Sequence, residues 1–170
     1  MSAIAESPPP TTVQVITYFV RSITEVLDTM AHVKVTIGKP FLKTNPAVMY
    51  DVSGIIGLSG SVSGSMVLSF QYRTAEAVVT AFAGTPIGQD SPDFADAIGE
   101  LANMIAGSAK TNLGENANMS VPSIVMGPGH QIARLQGVPC VIIPCKTDSG
   151  DFAVEVNITP SKAPLMPERK

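Results

Sequence analysis

Two pairs of alternating apolar runs, each joined by a link too short to hold a helix, constrain this chain most. Val52–Ser59 and Ser65–Gln71 flank Gly60-Ser-Val-Ser-Gly64, and Val138–Thr147 and Phe152–Ile158 flank Asp148-Ser-Gly-Asp151. Strands linked this closely have no room for a crossover and run antiparallel. Around them, Val13, Ile16, Phe19, Val20, Ile23 and Leu27 recur at helical spacing, which predicts a helix capped by Thr11 or Thr12 and reaching about Met30. Val33–Ile37 alternates at period two and reads as a strand ending at Gly38-Lys-Pro40. Thr74–Ala83 reads as a short helix stopped by Gly84 and Pro86. Ser91-Pro-Asp93 opens a longer helix, with serine as cap and proline at the first helical position, that ends near Gly114. Ser120–Met126 reads as a strand entered through Pro122.

Hairpins dominate this order and clean βαβ alternation is absent. The expected fold is therefore α+β: a largely antiparallel sheet with helices packed on one face. A weak internal repeat is also visible. Each half runs helix, strand near a proline (Pro40, Pro122), then hairpin, and Glu25-Val-Leu-Asp28 stands where the second half has Glu100-Leu-Ala-Asn103.

The 170 residues fit one domain, expected over residues 12–160 with tails at 1–11 and 161–170. An apolar share of 45 % against 15 % charged excludes a disordered chain. A formal net charge of −3 with no basic run leaves no footprint for nucleic acid or an anionic membrane. The N-terminus lacks the basic and apolar regions of a signal peptide, and no run approaches ~20 apolar residues, so a cytoplasmic protein without membrane spans is expected. Cys140 and Cys145, five apart on one strand, should point to opposite faces with Cα atoms about 16 Å apart, as buried thiols rather than a bridge. His32 could cap the first helix and His130 sits in Gly127-Pro-Gly, read as a turn; with no third ligand at suitable spacing, no metal site is expected.

The long helix carries the unusual residues. At about 100° per residue, Asp96, Glu100, Asn103 and Gly107 fall within about 60° of one another, and Ile98, Leu101 and Ile105 gather opposite. An exposed row of acid and amide is most simply a solvated face. Two of its residues suit that purpose poorly. Asn103 competes with the helix backbone for hydrogen bonds, and Gly107 costs about 1 kcal/mol relative to alanine. A glycine closing such a row leaves room for a close approach, which points to a docking surface.

Asp96-x-x-x-Glu100-x-x-Asn103 with Gly107 one turn later, and Pro122 opening the next strand, resembles the signature of the CheC/CheX/FliY phosphatases, which hydrolyse the aspartyl phosphate of CheY-type response regulators. Tyr50–Gly60, Gly64–Phe70 and Gly99–Gly107 are similar to CheX-type sequence in particular. The resemblance implies that Asn103 orients the attacking water and that Glu100 pairs with the lysine beside the regulator's phosphorylated aspartate. Gly107 would admit the approach, and Asp96 would help hold the helix face or its partner. It also implies a homodimer, a phosphorylated CheY-like regulator as partner, and no cofactor from this chain, since the Mg2+ would sit on the regulator. With Glu25 and Asp28 in the first helix, a carboxylate stands where a second site would want asparagine, so one active site per chain is expected. The alternative is a CheX-like domain that binds a receiver or a flagellar switch component without hydrolysis.

Overall fold

The Thr11 hydroxyl accepts from the Gln14 N–H and the Gln14 side chain accepts from the Thr11 N–H, a reciprocal cap that starts the first helix where the periodicity places it. In this computed structural model, which describes residues 8–44, 49–133 and 137–161, that helix is α1 (Thr12–Met30). Residues 1–7 and 162–170, most of the two expected tails, lie outside the described residues. Then follow β1 (Thr36–Ile37), β2 (Phe41–Leu42), β3 (Tyr50–Ser59), β4 (Val62–Phe70), α2 (Tyr72–Ala83), α3 (Phe94–Lys110), β5 (Asn118–Met119), β6 (Ser123–His130), β7 (Val141–Thr147) and β8 (Gly150–Pro160).

Every strand pairing is antiparallel, including β3–β4 and β7–β8, whose short links require it. The sheet runs β1-β7-β8-β4-β3-β5, with β2 beside β7 and β6 beside β3. The order is palindromic. Exchanging β4 with β8, β3 with β7, and the β1–β2 edge with the β5–β6 edge returns the same sheet, so each half lends its first strands to the hairpin of the other. The internal repeat is real at the level of topology.

The two edges share one more detail. Between Ile37↔Cys145 and Phe41↔Ile142, Gly38-Lys-Pro40 lies opposite only Ile143 and Pro144. Between Met119↔Leu58 and Ser123↔Ile55, Ser120-Val-Pro122 lies opposite only Ile56 and Gly57. Each is a bulge of three residues against two, ending in the proline that cannot donate to a ladder. The expected strand at Val33–Ile37 is paired only over Thr36–Ile37, where its partner β7 reaches its end at Thr147, and the bulge explains why Ser120–Met126 joins the ladder only from Ser123.

One face of the sheet presents Val52, Ile56, Met66, Leu68, Phe70, Phe152, Val154 and Ile143 to the helices, closed by Phe19, Ile23 and Leu27 of α1, Val78 and Val79 of α2, and Ile98, Leu101 and Ile105 of α3. Phe70 and Phe152 stack across neighbouring strands with ring centroids 4.8 Å apart. The opposite face carries several buried polar side chains among its apolar ones. Lys43, just past β2, reaches across to β8 and donates to both carboxylate oxygens of Glu155 at 3.0 and 2.9 Å and to the Ile132 carbonyl at 2.6 Å. Nearby, Ser53 bonds both Ser69 and Nε2 of His130 at 2.7 Å.

Cys145 joins the helix-side core while Cys140 lies 3.8 Å from Glu155 on the other face, both buried, as their odd spacing requires. Burial pushes the Cys145 thiol up to about 12. Several local expectations are corrected. The first hairpin turns at Gly60-Ser61, with Val62 and Gly64 already in β4. Gly127-Pro-Gly-His130 is not a turn but the end of β6, where His130 pairs with Tyr50 beyond a register shift. His32 has φ 54° and is exposed; the Val33 N–H rather than the imidazole closes the helix end on the Leu27 carbonyl.

Candidate functional site

Helix α3 is held almost all the way round. Phe94, Ala97, Ile98, Leu101, Ala102, Ile105, Ala106 and Ala109 are buried, and the Ser22 hydroxyl of α1 donates to the Ile105 carbonyl. Ser91 is not the helix cap that the sequence suggests: its hydroxyl accepts from the Asp93 N–H at 3.2 Å and its carbonyl accepts from the Phe94 N–H, closing a turn ahead of the helix. That is a 3₁₀ closure, so the regular helix begins at Phe94, with Asp93 at the cap, rather than at Pro92. Asp96 in the first turn and Lys110 in the last both suit the helix dipole.

What remains uncovered is the predicted row. Asp96 and Glu100 are exposed, and Asn103 and Gly107 are half-buried. The row spans about 16 Å of helix, taking a rise of about 1.5 Å per residue. Its position depends on a glycine beneath it. A Cβ at Gly54 of β3 would come 3.1 Å from the Ala102 Cβ and 3.4 Å from Ile98, so helix and sheet approach closely only because that atom is missing. Gly54→Ala is expected to lift α3 off the sheet and cost about 1–3 kcal/mol, read as a lower urea midpoint.

The β5–β6 edge runs along one flank of α3. A Cβ at Gly99 would meet Pro122 at 3.3 Å, and one at Gly107 would meet only Met119 Cε at 4.0 Å. Pro122 and Met119 thus bracket the stretch of helix that carries Glu100 and Asn103. Between them Ser120 turns to β3, where its hydroxyl accepts from the Gly57 N–H at 2.8 Å, and Val121 is left 83 % exposed. Past Gly107 the row opens onto a shallow groove of about 220 Å³ lined by Lys110, Thr111, Gly114 and Glu115. Sequence reasoning singled out Pro122 but missed Val121, whose exposure is created by a cross-strand bulge that no local pattern reveals.

Among the described residues, the side chains of Asp96, Glu100 and Asn103 make no hydrogen bond or ion pair within the chain. An acceptor pair of carboxylates and a free carboxamide, fixed on a rigid helix, can grip a cation and orient a water. The first helix differs. Asp28 is engaged by Lys34 and Glu25 is exposed. Among the described residues no group of three or more His, Cys, Asp or Glu could hold a metal ion, and no helix is long and apolar enough to cross a membrane. His130 is occupied by Ser53 and by the Gly127 carbonyl, to which its Nδ1–H donates at 2.8 Å.

Comparison with known proteins places the fold. The family model described as chemotaxis phosphatase CheX matches residues 52–146. The CheY-P phosphatase CheX of Thermotoga maritima is 28 % identical over 118 residues, which cover 67 % of this chain and 76 % of that protein. The crystal structure of a chemotaxis protein CheX from Desulfovibrio desulfuricans is 37 % identical, covers 86 % of this chain and 99 % of its own, and superposes with a TM-score of 0.78. A CheX from Borrelia burgdorferi, solved as a CheX–CheY–BeF3–Mg2+ complex, is 27 % identical with a TM-score of 0.72, over 85 % of this chain and 97 % of that one.

Proposed function

The chain belongs to the CheX family of chemotaxis phosphatases, and on that premise we propose that it hydrolyses the aspartyl phosphate of a CheY-type response regulator through Glu100 and Asn103. One observation carries the reading: on a helix buried on its other sides, this acid–amide pair faces outward with no partner among the described residues. The complex of the Borrelia burgdorferi relative with CheY supports the choice of partner.

The reaction asks little of this chain. An acyl phosphate is already electrophilic, and the regulator brings the phosphorylated aspartate with the Mg2+ that neutralises its oxygens. Water attacks phosphorus as the bond to the aspartyl oxygen breaks, leaving a carboxylate and inorganic phosphate. The Asn103 carboxamide accepts a hydrogen bond from that water and turns its lone pair toward phosphorus, the task a glutamine performs in GTPases. Glu100 pairs with a lysine of the regulator and fixes the register. Asp96 extends the acidic contact by one turn, and Gly107 admits the partner's surface. The protein acts in the cytoplasm as a homodimer paired through sheet edges, which would bury an otherwise open strand.

Gly107 offers a test with an internal control. Its added Cβ would touch only the flexible end of Met119, so Gly107→Ala should fold normally and gain up to about 1 kcal/mol of helix stability. Phosphate release at low regulator concentration should nevertheless fall, with the half-saturating concentration up roughly tenfold. A variant that is both more stable and equally active at low regulator would remove Gly107 from the docking surface. The phosphatase reading itself fails if the wild-type protein leaves the lifetime of the phosphorylated regulator unchanged.

A further inference from the structure

The geometry points to Val121 as a specificity-determining contact for the response regulator, an apolar knob that the edge bulge holds beside the Glu100–Asn103 row. The inference rests on the phosphatase reading and adds to it a residue outside the helix.

Three observations carry it. The first is placement. Pro122 lies against Gly99 and Met119 against Gly107, so residues 120 and 121 pass alongside the turn of α3 that bears Asn103. A partner seated on that row lies next to the strand edge that carries Val121.

The second is rigidity. The Ser120 N–H donates to the Gly57 carbonyl at 2.9 Å, the Gly57 N–H donates to the Ser120 hydroxyl at 2.8 Å, and that hydroxyl donates to the Val121 carbonyl at 2.8 Å. Pro122 fixes the next φ. Val121 is therefore held on both sides while its side chain stays 83 % exposed. A preorganised apolar side chain loses little conformational freedom on docking.

The third is an internal comparison. The other edge carries the same bulge, three residues against two, pinned in the same way by the Gly38 N–H on the Pro144 carbonyl at 2.8 Å and closed by Pro40. Its middle residue is Lys39, exposed, as a solvated position invites. That bulge belongs to the half whose helix has Asp28 in place of an asparagine. The bulge does not demand an apolar residue at its centre, and valine stands there only in the half with the Glu100–Asn103 row. A lone exposed valine needs no explanation by itself; one that replaces lysine at the equivalent point does.

The test is phosphate release from a phosphorylated CheY-type regulator as a function of its concentration, for wild type, Val121→Lys and Lys39→Ala. Val121→Lys should raise the half-saturating concentration roughly tenfold or more and leave the maximal rate within about twofold. Lys39→Ala should match wild type in both. An unchanged half-saturating concentration in Val121→Lys overturns the inference. So does a loss that appears only together with a change in oligomeric state by light scattering, because Val121 would then be a contact between copies of this chain. If wild type itself releases no phosphate, the phosphatase reading has failed instead. In that case regulator binding by Val121→Lys, measured by titration calorimetry, still decides the contact: weakened binding sustains it and wild-type binding ends it.

Discussion

Asn103→Ala should bind the phosphorylated regulator as tightly as wild type and release phosphate about 10²–10³-fold more slowly. The magnitude follows from what the side chain does. It contributes no charge and no nucleophile, only the placing of one water, and misplacing a reacting group by about 1 Å costs on the order of 10²-fold. Its surroundings make the experiment clean. The carboxamide is half-buried on α3 and has no hydrogen-bond partner among the described residues, so truncation opens no unsatisfied group inside the fold. Alanine is also the better helix former, and the variant should be no less stable than wild type. Steady-state phosphate release at saturating regulator, beside equilibrium binding, separates the two effects. A maximal rate within a few-fold of wild type would take the water-orienting role from Asn103.

The largest effect on stability should come from the other face of the sheet. Lys43→Met leaves the Glu155 carboxylate, with its side chain 8 % exposed, without the ammonium that now bonds both its oxygens. Stranding one member of a buried pair costs about 3–5 kcal/mol, a large part of the 5–15 kcal/mol that typically holds a domain folded. The loss should appear as a lower urea midpoint, with the phosphatase activity of the folded fraction intact because the row on α3 lies across the sheet. Lys43→Met with Glu155→Met should recover most of it, since a buried ion pair contributes little beyond what apolar groups of similar volume supply. If the single and double variants are equally destabilised, the pair is not what holds these segments together.

The uncovered row on α3 and the fold class were legible because both are written in local periodicity. Acid, amide and glycine recur at i, i+4, i+7 and i+11 on a helix whose apolar residues fill the opposite side, and hairpin links leave antiparallel pairing as the only choice. The repeat was legible from Pro40 and Pro122, and the topology explains them as the ends of matched bulges. Lys43 and Glu155 were not legible. They lie 112 residues apart and meet only because β2 of one half pairs with β7 of the other, which brings Lys43 within reach of Glu155 in the middle of β8. Val121 was missed for a related reason: its exposure depends on Gly57 of a neighbouring strand holding Ser120 in the bulge. The start of α3 was misread by two residues because Ser91 closes a 3₁₀ turn ahead of the helix, whose first α bond runs from the Ala97 N–H to the Asp93 carbonyl.

The most direct measurement is multiple-turnover phosphate release from a phosphorylated CheY-type regulator of the same organism, with this protein present at a small fraction of the regulator's concentration. The account predicts that phosphate appears faster than from the regulator alone, in proportion to the protein added, and continues past one equivalent. A complex that forms while phosphate loss keeps the regulator's own rate would contradict it and make the chain a binding module.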